Sequence, residues 1–128
     1  MHMRPWSLLA GVNGALAIGL AAYGAHGVDP QAVPLMEKAS AFQLIHAVAL
    51  LALEARGLNG DRWSMVAGVL FVAGMLLFSG SLYVKALSGP LPLPMVTPAG
   101  GVAFLLGWGA VAVSACVRRA SPSFDSRQ

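Results

Sequence analysis

The stretch Ala41–Leu51, AFQLIHAVALL, sets a glutamine and a histidine three positions apart inside an otherwise apolar run. On a helix that spacing puts Gln43 and His46 on one face, continued by Leu50 and by Leu53 or Glu54. An amide and an imidazole so placed can hydrogen-bond to neighbouring helices. They can also bind a metal, a proton, or the polar head of a quinone or lipid. His26, Ser79 and Ser81 are further polar groups within reach of such a face. Two histidines fall short of the three or more protein ligands of a zinc site, and no acidic residue completes the set, so neither a metal nor a haem is expected. Catalytic patterns are missing as well. The chain has no glycine-rich phosphate loop ending in lysine, no HExxH, no GxSxG, and too few acids for paired-carboxylate chemistry. TPAGG, at 97–101, opens an apolar helix with no strand before it and does not read as a nucleotide loop. The expectation is a protein that is not an enzyme and carries no cofactor.

The solvent of these residues follows from composition. Of 128 residues, 57% are hydrophobic and 10% charged, whereas an ordinary soluble domain is about a quarter charged. So short a soluble chain could not hide that much apolar surface. The bilayer can. The net charge of +3 is carried by scattered basic residues with no aromatic interleaving, which excludes a nucleic-acid surface. A single cysteine, Cys116, excludes an internal disulfide and any multi-cysteine metal site.

A transmembrane helix needs about 20 mostly apolar residues. Segments 6–25, 40–58, 64–87 and 98–117 qualify, which predicts an all-α, antiparallel four-helix bundle in the membrane followed by a polar, disordered tail, 118–128. The first segment starts like a secretory signal, but its apolar run exceeds the roughly 7–15 residues of a signal core, so it reads as an uncleaved helix. With the N-terminus in the cytoplasm, Arg4, Arg56, Arg62, Arg118, Arg119 and Arg127 fall inside and Lys38 and Lys85 outside, so both termini are expected to be cytoplasmic. Trp6 and Trp63 then line the inner interface and Tyr23 and Tyr83 the outer one. Asn59–Gly60–Asp61 makes a short turn. Thr97 followed by Pro98 makes a capped start for the last helix, and residues 27–39 form an outer loop with room for a short surface helix. Lys85 is expected to snorkel outward.

In lipid, helices associate through small residues and a few hydrogen bonds. Gly11, Ala15 and Gly19 recur every fourth position on the first helix, and Gly100, Gly101, Gly107 and Gly109 flatten the last. Packing within the chain is the expected use of both sets.

YGAHGV, AFQLIHAVALL, LFSGSLYVKAL and TPAGGVAFLLGW, one from each segment, occur in an order and spacing that resemble the family called domain of unknown function 423, which includes the eukaryotic transmembrane protein 256. The likeness spans about four fifths of the chain and is to a bacterial member. It implies a four-helix, multi-pass protein of the inner (plasma) membrane, and it assigns neither activity nor ligand. Phe42 stands where the family often has a tyrosine before the glutamine, so a role that needs a hydroxyl there does not transfer.

Depth then groups the polar residues. Descending from outside, His46 lies about 9 Å below Ser40, and counting back from Leu87 puts Ser79 and Ser81 at a similar depth. An outer-leaflet cluster of His26, Gln43, His46, Ser79 and Ser81, closed by Tyr83, is expected, either as an interhelical network or as a ligand site. Asn13 and Glu54 are expected to form a second pair in the inner half, unless Glu54 reaches water or Arg56. For function this leaves an accessory or assembly partner of other membrane components, with the bilayer and a membrane protein or second copy as partners. The alternative is a binder or carrier of a small molecule, ion, lipid or quinone at the polar cluster.

Overall fold

The computed structural model describes residues 3–57 and 61–120, the last three by backbone alone. Its elements are α1 (Pro5–His26), α2 (Val33–Ala55), α3 (Arg62–Gly74), a π-helical segment (Met75–Ser79), α4 (Gly80–Ser88) and α5 (Val96–Ala120). α3, the π segment and α4 run on as one span, Arg62–Ser88, so four helices are long and apolar enough to cross a membrane. Asn59, Gly60 and the tail beyond Ala120 lie outside the described residues. Asp61 caps α3, its side chain accepting from the Trp63 amide at 3.0 Å.

Two boundaries differ from expectation, each for a local reason. α2 starts at Val33, about two turns ahead of Ser40. The polar residues before it spend themselves on a tight turn, in which Asp29 accepts from Gln31 and Ala32. Pro34 then sits in the first helical turn, where no amide is required. At the other junction α5 begins at Val96, so Thr97 lies inside the helix and its hydroxyl bonds to Ser81 at 2.6 Å instead of capping. Gly57 and Gly89, at φ +78 and +85, take the left-handed conformation that ends α2 and α4.

The chain folds as two antiparallel hairpins. α1 lies along α2, with Ser7 bonded to Glu54 at one end and Gly24 against Met36 at the other. α3 and the π segment lie along α5. The hairpins join where α2 meets α4 and the π segment, over Met36, Ala39, Leu82 and Tyr83, and deeper around Leu50, Phe71, Met75 and Phe104. α1 is therefore peripheral, and it buries Ala10, Ala17 and Gly24 against α2.

That arrangement sorts the small residues. A Cβ on Gly11 or Gly19 would meet nothing within 4 Å, and Ala15 is exposed, so this stripe faces away from the chain and does not pack within it as expected. On α5, Gly100 and Gly107 face the third span and Gly109 faces open space. Tyr83, expected to close the polar cluster, is buried at 8% exposure and bonds to Gln43, while Tyr23 is 52% exposed.

Candidate functional site

The polar centre of the bundle begins with Gln43, near the midpoint of α2. Because α2 starts early, Gln43 and His46 lie at mid-helix and not in its outer third. Tyr83 donates to Gln43 Oε1 at 2.7 Å, Gln43 Nε2 donates to Asn13 Oδ1 at 3.0 Å, and Asn13 Nδ2 donates to the Leu9 carbonyl at 2.9 Å. One atom orients the whole relay. The Leu9 carbonyl can only accept, so Asn13 must present its amide to it and its oxygen to Gln43, which leaves Gln43 Oε1 for the tyrosine proton. Three helices, α1, α2 and α4, are thereby tied at one point.

His46 is held separately. Its Nδ1 lies 2.6 Å from the Phe42 carbonyl, and its Nε2 accepts from Trp108 Nε1 at 3.1 Å. A carbonyl only accepts and an indole N–H only donates, so Nδ1 carries the proton and Nε2 the lone pair. The ring is neutral, with both nitrogens engaged. It stacks on Phe104 at a centroid distance of 3.7 Å and 12° between planes, with Phe71 edge-on at 5.1 Å. A metal or a proton at Nε2 would have to displace the tryptophan.

The serines divide. Ser81 donates to the Phe78 carbonyl at 2.9 Å, so the proton shared with Thr97 comes from the threonine, and the pair staples α4 to α5. Ser79 is fully buried, and its Oγ has no hydrogen-bond partner, alone in this among buried side-chain polar atoms of the described residues. A buried hydroxyl in that state costs about 1–3 kcal/mol. Ser79→Ala is therefore expected to leave stability unchanged or to raise it by about 1 kcal/mol. Thermal unfolding in detergent checks this, and a clear loss would mean that the hydroxyl bonds in the native protein.

Of the five residues expected to cluster, the fold brings Gln43 and His46 into the contact between the hairpins, whereas Ser81 bonds within the second hairpin and Ser79 is buried without a partner, so they form no single hydrogen-bonded group. His26 does not join them. It is exposed at the end of α1, beside the α2 turn that holds Met36, and Met36 lies about 15 Å along α2 from His46. The Asn13–Glu54 pair is absent, since Asn13 meets Gln43 and Glu54 accepts from Ser7. The earlier start of α2 and the Gly24–Met36 contact set a register in which Asn13 lies higher on α2 than depth counting placed it.

Several partners escaped the sequence. Trp108 stands midway along α5 and faces His46. Ser64 and Ser114, both fully buried, donate to the same Asp61 oxygen and tie α3 to α5. Serine spacing could have flagged them, since each falls on the buried face of its own helix, but nothing in one strand of sequence joins positions fifty apart. Among the described residues no group of three or more histidines, cysteines or acids stands ready for a metal ion.

Comparison with known proteins places the chain. The family profile described as protein of unknown function DUF423 matches residues 20–101. UPF0382 membrane protein YwdK of Bacillus subtilis is 35% identical over 88% of this chain and 97% of its own length. UPF0382 membrane protein SAB0533 of Staphylococcus aureus is 37% identical over 83% of this chain and 90% of its own. In Schizosaccharomyces pombe, UPF0382 membrane protein C1782.12c is 32% identical over 87% of this chain and all of its own. No solved structure matches. With four helices of membrane-crossing length and relatives named as membrane proteins that match over nearly their whole length, the chain is an integral membrane protein belonging to the DUF423 family.

Proposed function

We propose that the protein works without catalysis, as an assembly or accessory partner of other membrane components, in a bacterial inner membrane with both termini in the cytoplasm. The observation that carries this reading is where the polar chemistry goes. Gln43, His46, Asn13, Tyr83, Ser81 and Asp61 engage one another or the backbone, while the outward face of α1 stays uncovered around Gly11, Ala15 and Gly19. Small residues facing lipid allow a neighbouring helix to approach closely. The orientation draws its support from arginine, with Arg4, Arg56 and Arg62 at one end of the bundle and Lys38 and Lys85 at the other. A carrier built on His26, Gln43 and His46 draws none from a histidine with both nitrogens engaged.

A photo-crosslinking residue at position 15, on the open face, and one at position 17, against α2, test the reading in cells. Position 15 is expected to capture the same membrane protein reproducibly, with position 17 giving far less. No repeated capture from position 15, together with a partner-free monomer in mild detergent, would remove the support for an assembly role.

A further inference from the structure

Inward of the Gly24–Met36 contact, the residues between α1 and α2 are small. Ala17 and Ala21 on α1 and Ser40 and Ala41 on α2 reach too little to close the seam. They leave a groove of about 270 Å³, flanked by Ile18 and Leu44 and headed by Glu37. From Glu37 to Leu44 it runs about 10 Å. Pockets for whole small molecules begin at about 300 Å³, so this groove suits a single extended hydrocarbon chain.

Charge selects the head group. No basic side chain lines the groove, and the Glu37 carboxylate has no hydrogen-bond or ion-pair partner among the described residues. Ser40 turns its hydroxyl back to the Glu37 carbonyl at 3.1 Å, which leaves the carboxylate as the group that meets a ligand. Glu37 lies about one turn inside the start of α2, so its charge sits at the rim of the span with the apolar groove running inward from it. A carboxylate there attracts an ammonium. A primary ammonium adds charge-assisted hydrogen bonds, for which a trimethylammonium has no N–H. Lys38, next along α2 and exposed, offers the opposite charge to the phosphate that accompanies such a head. An anionic head without an ammonium would meet the carboxylate with like charge.

We propose that the α1–α2 groove is a binding site for a phospholipid with a primary ammonium head, one acyl chain lying along the alanine wall and the ammonium on Glu37. The site is separate from the polar centre and lies on a different flank of α1 from the open stripe of Gly11, Ala15 and Gly19.

Native mass spectrometry of the full-length protein in mild detergent tests it, with equimolar phosphatidylethanolamine and phosphatidylcholine of matched acyl chains supplied. Wild type is expected to retain phosphatidylethanolamine about threefold over phosphatidylcholine, the size of one exposed ion pair. Glu37→Gln, at an exposed position, should bring the two lipids to parity. Ala41→Phe should lower both by filling the groove, and Val69→Phe, on the exposed surface of α3, should change neither. Phosphoethanolamine alone should not be retained. Equal retention of both lipids by wild type, a preference that survives Glu37→Gln, or retention that Ala41→Phe leaves unchanged overturns the proposal. So does phosphoethanolamine binding as well as the lipid does, which would make Glu37 a site for a free amine.

Discussion

Gly100→Ala is expected to destabilise the folded protein by about 3 kcal/mol, the upper end of the usual cost of overpacking. A Cβ at Gly100 would lie 2.3 Å from the Phe78 amide nitrogen and 2.8 Å from the Leu77 carbonyl carbon, both in the π-helical segment. Those are backbone atoms, and no rotamer change can relieve the overlap. α5 and the third span would have to separate along their whole contact, loosening the Gly107–Phe71 and Gly74–Phe104 fits with it. In lipid such close approach is the main source of helix association, so the loss has no ready substitute. Gly109→Ala is the control. Its Cβ points into open space, and alanine's better helix propensity should leave stability unchanged or raise it by up to about 1 kcal/mol. Thermal unfolding in one detergent compares the two, and equal midpoints would mean that α5 does not approach the π segment this closely.

His46→Ala is expected to cost about 3 kcal/mol, combining a cavity beside Phe104 with a Trp108 N–H left unpaired. The two causes separate in a double-mutant cycle. His46→Phe keeps a ring against Phe104 but orphans the indole, and Trp108→Phe removes the donor. The pair together should cost less than the sum of the single variants, with a coupling of about 1 kcal/mol. Strict additivity would show that the two side chains do not bond. The same His46→Ala sample distinguishes structural from ligand chemistry, because metal and copurified lipid content are expected to match wild type. A ligand that vanishes while the unfolding midpoint holds would return the polar centre to the binder hypothesis.

The Asn13–Glu54 expectation shows how far a sequence reaches here. Depth counting put both residues at one level of the inner half, yet each meets a different partner. What it could not supply was the axial offset between α1 and α2, where a slip of one turn, about 5.4 Å, changes every partner. That offset is set by Gly24 receiving Met36 and by a turn at Asp29 that starts α2 early. The glycines teach the same lesson. Gly100 and Gly109 are alike on paper, yet one touches backbone and the other nothing.

Composition alone determined the solvent, because so apolar and uncharged a chain has no way to satisfy water, and the four spans and the inward turn of Gln43 and His46 follow from that one fact. Only tertiary structure decided that Trp108 would saturate His46, that Gln43 would join Asn13 to Tyr83, and that the α1 stripe would face outward. These depend on contacts between residues 30 to 62 positions apart, governed by helix offset and rotation, which no local pattern of residue types encodes.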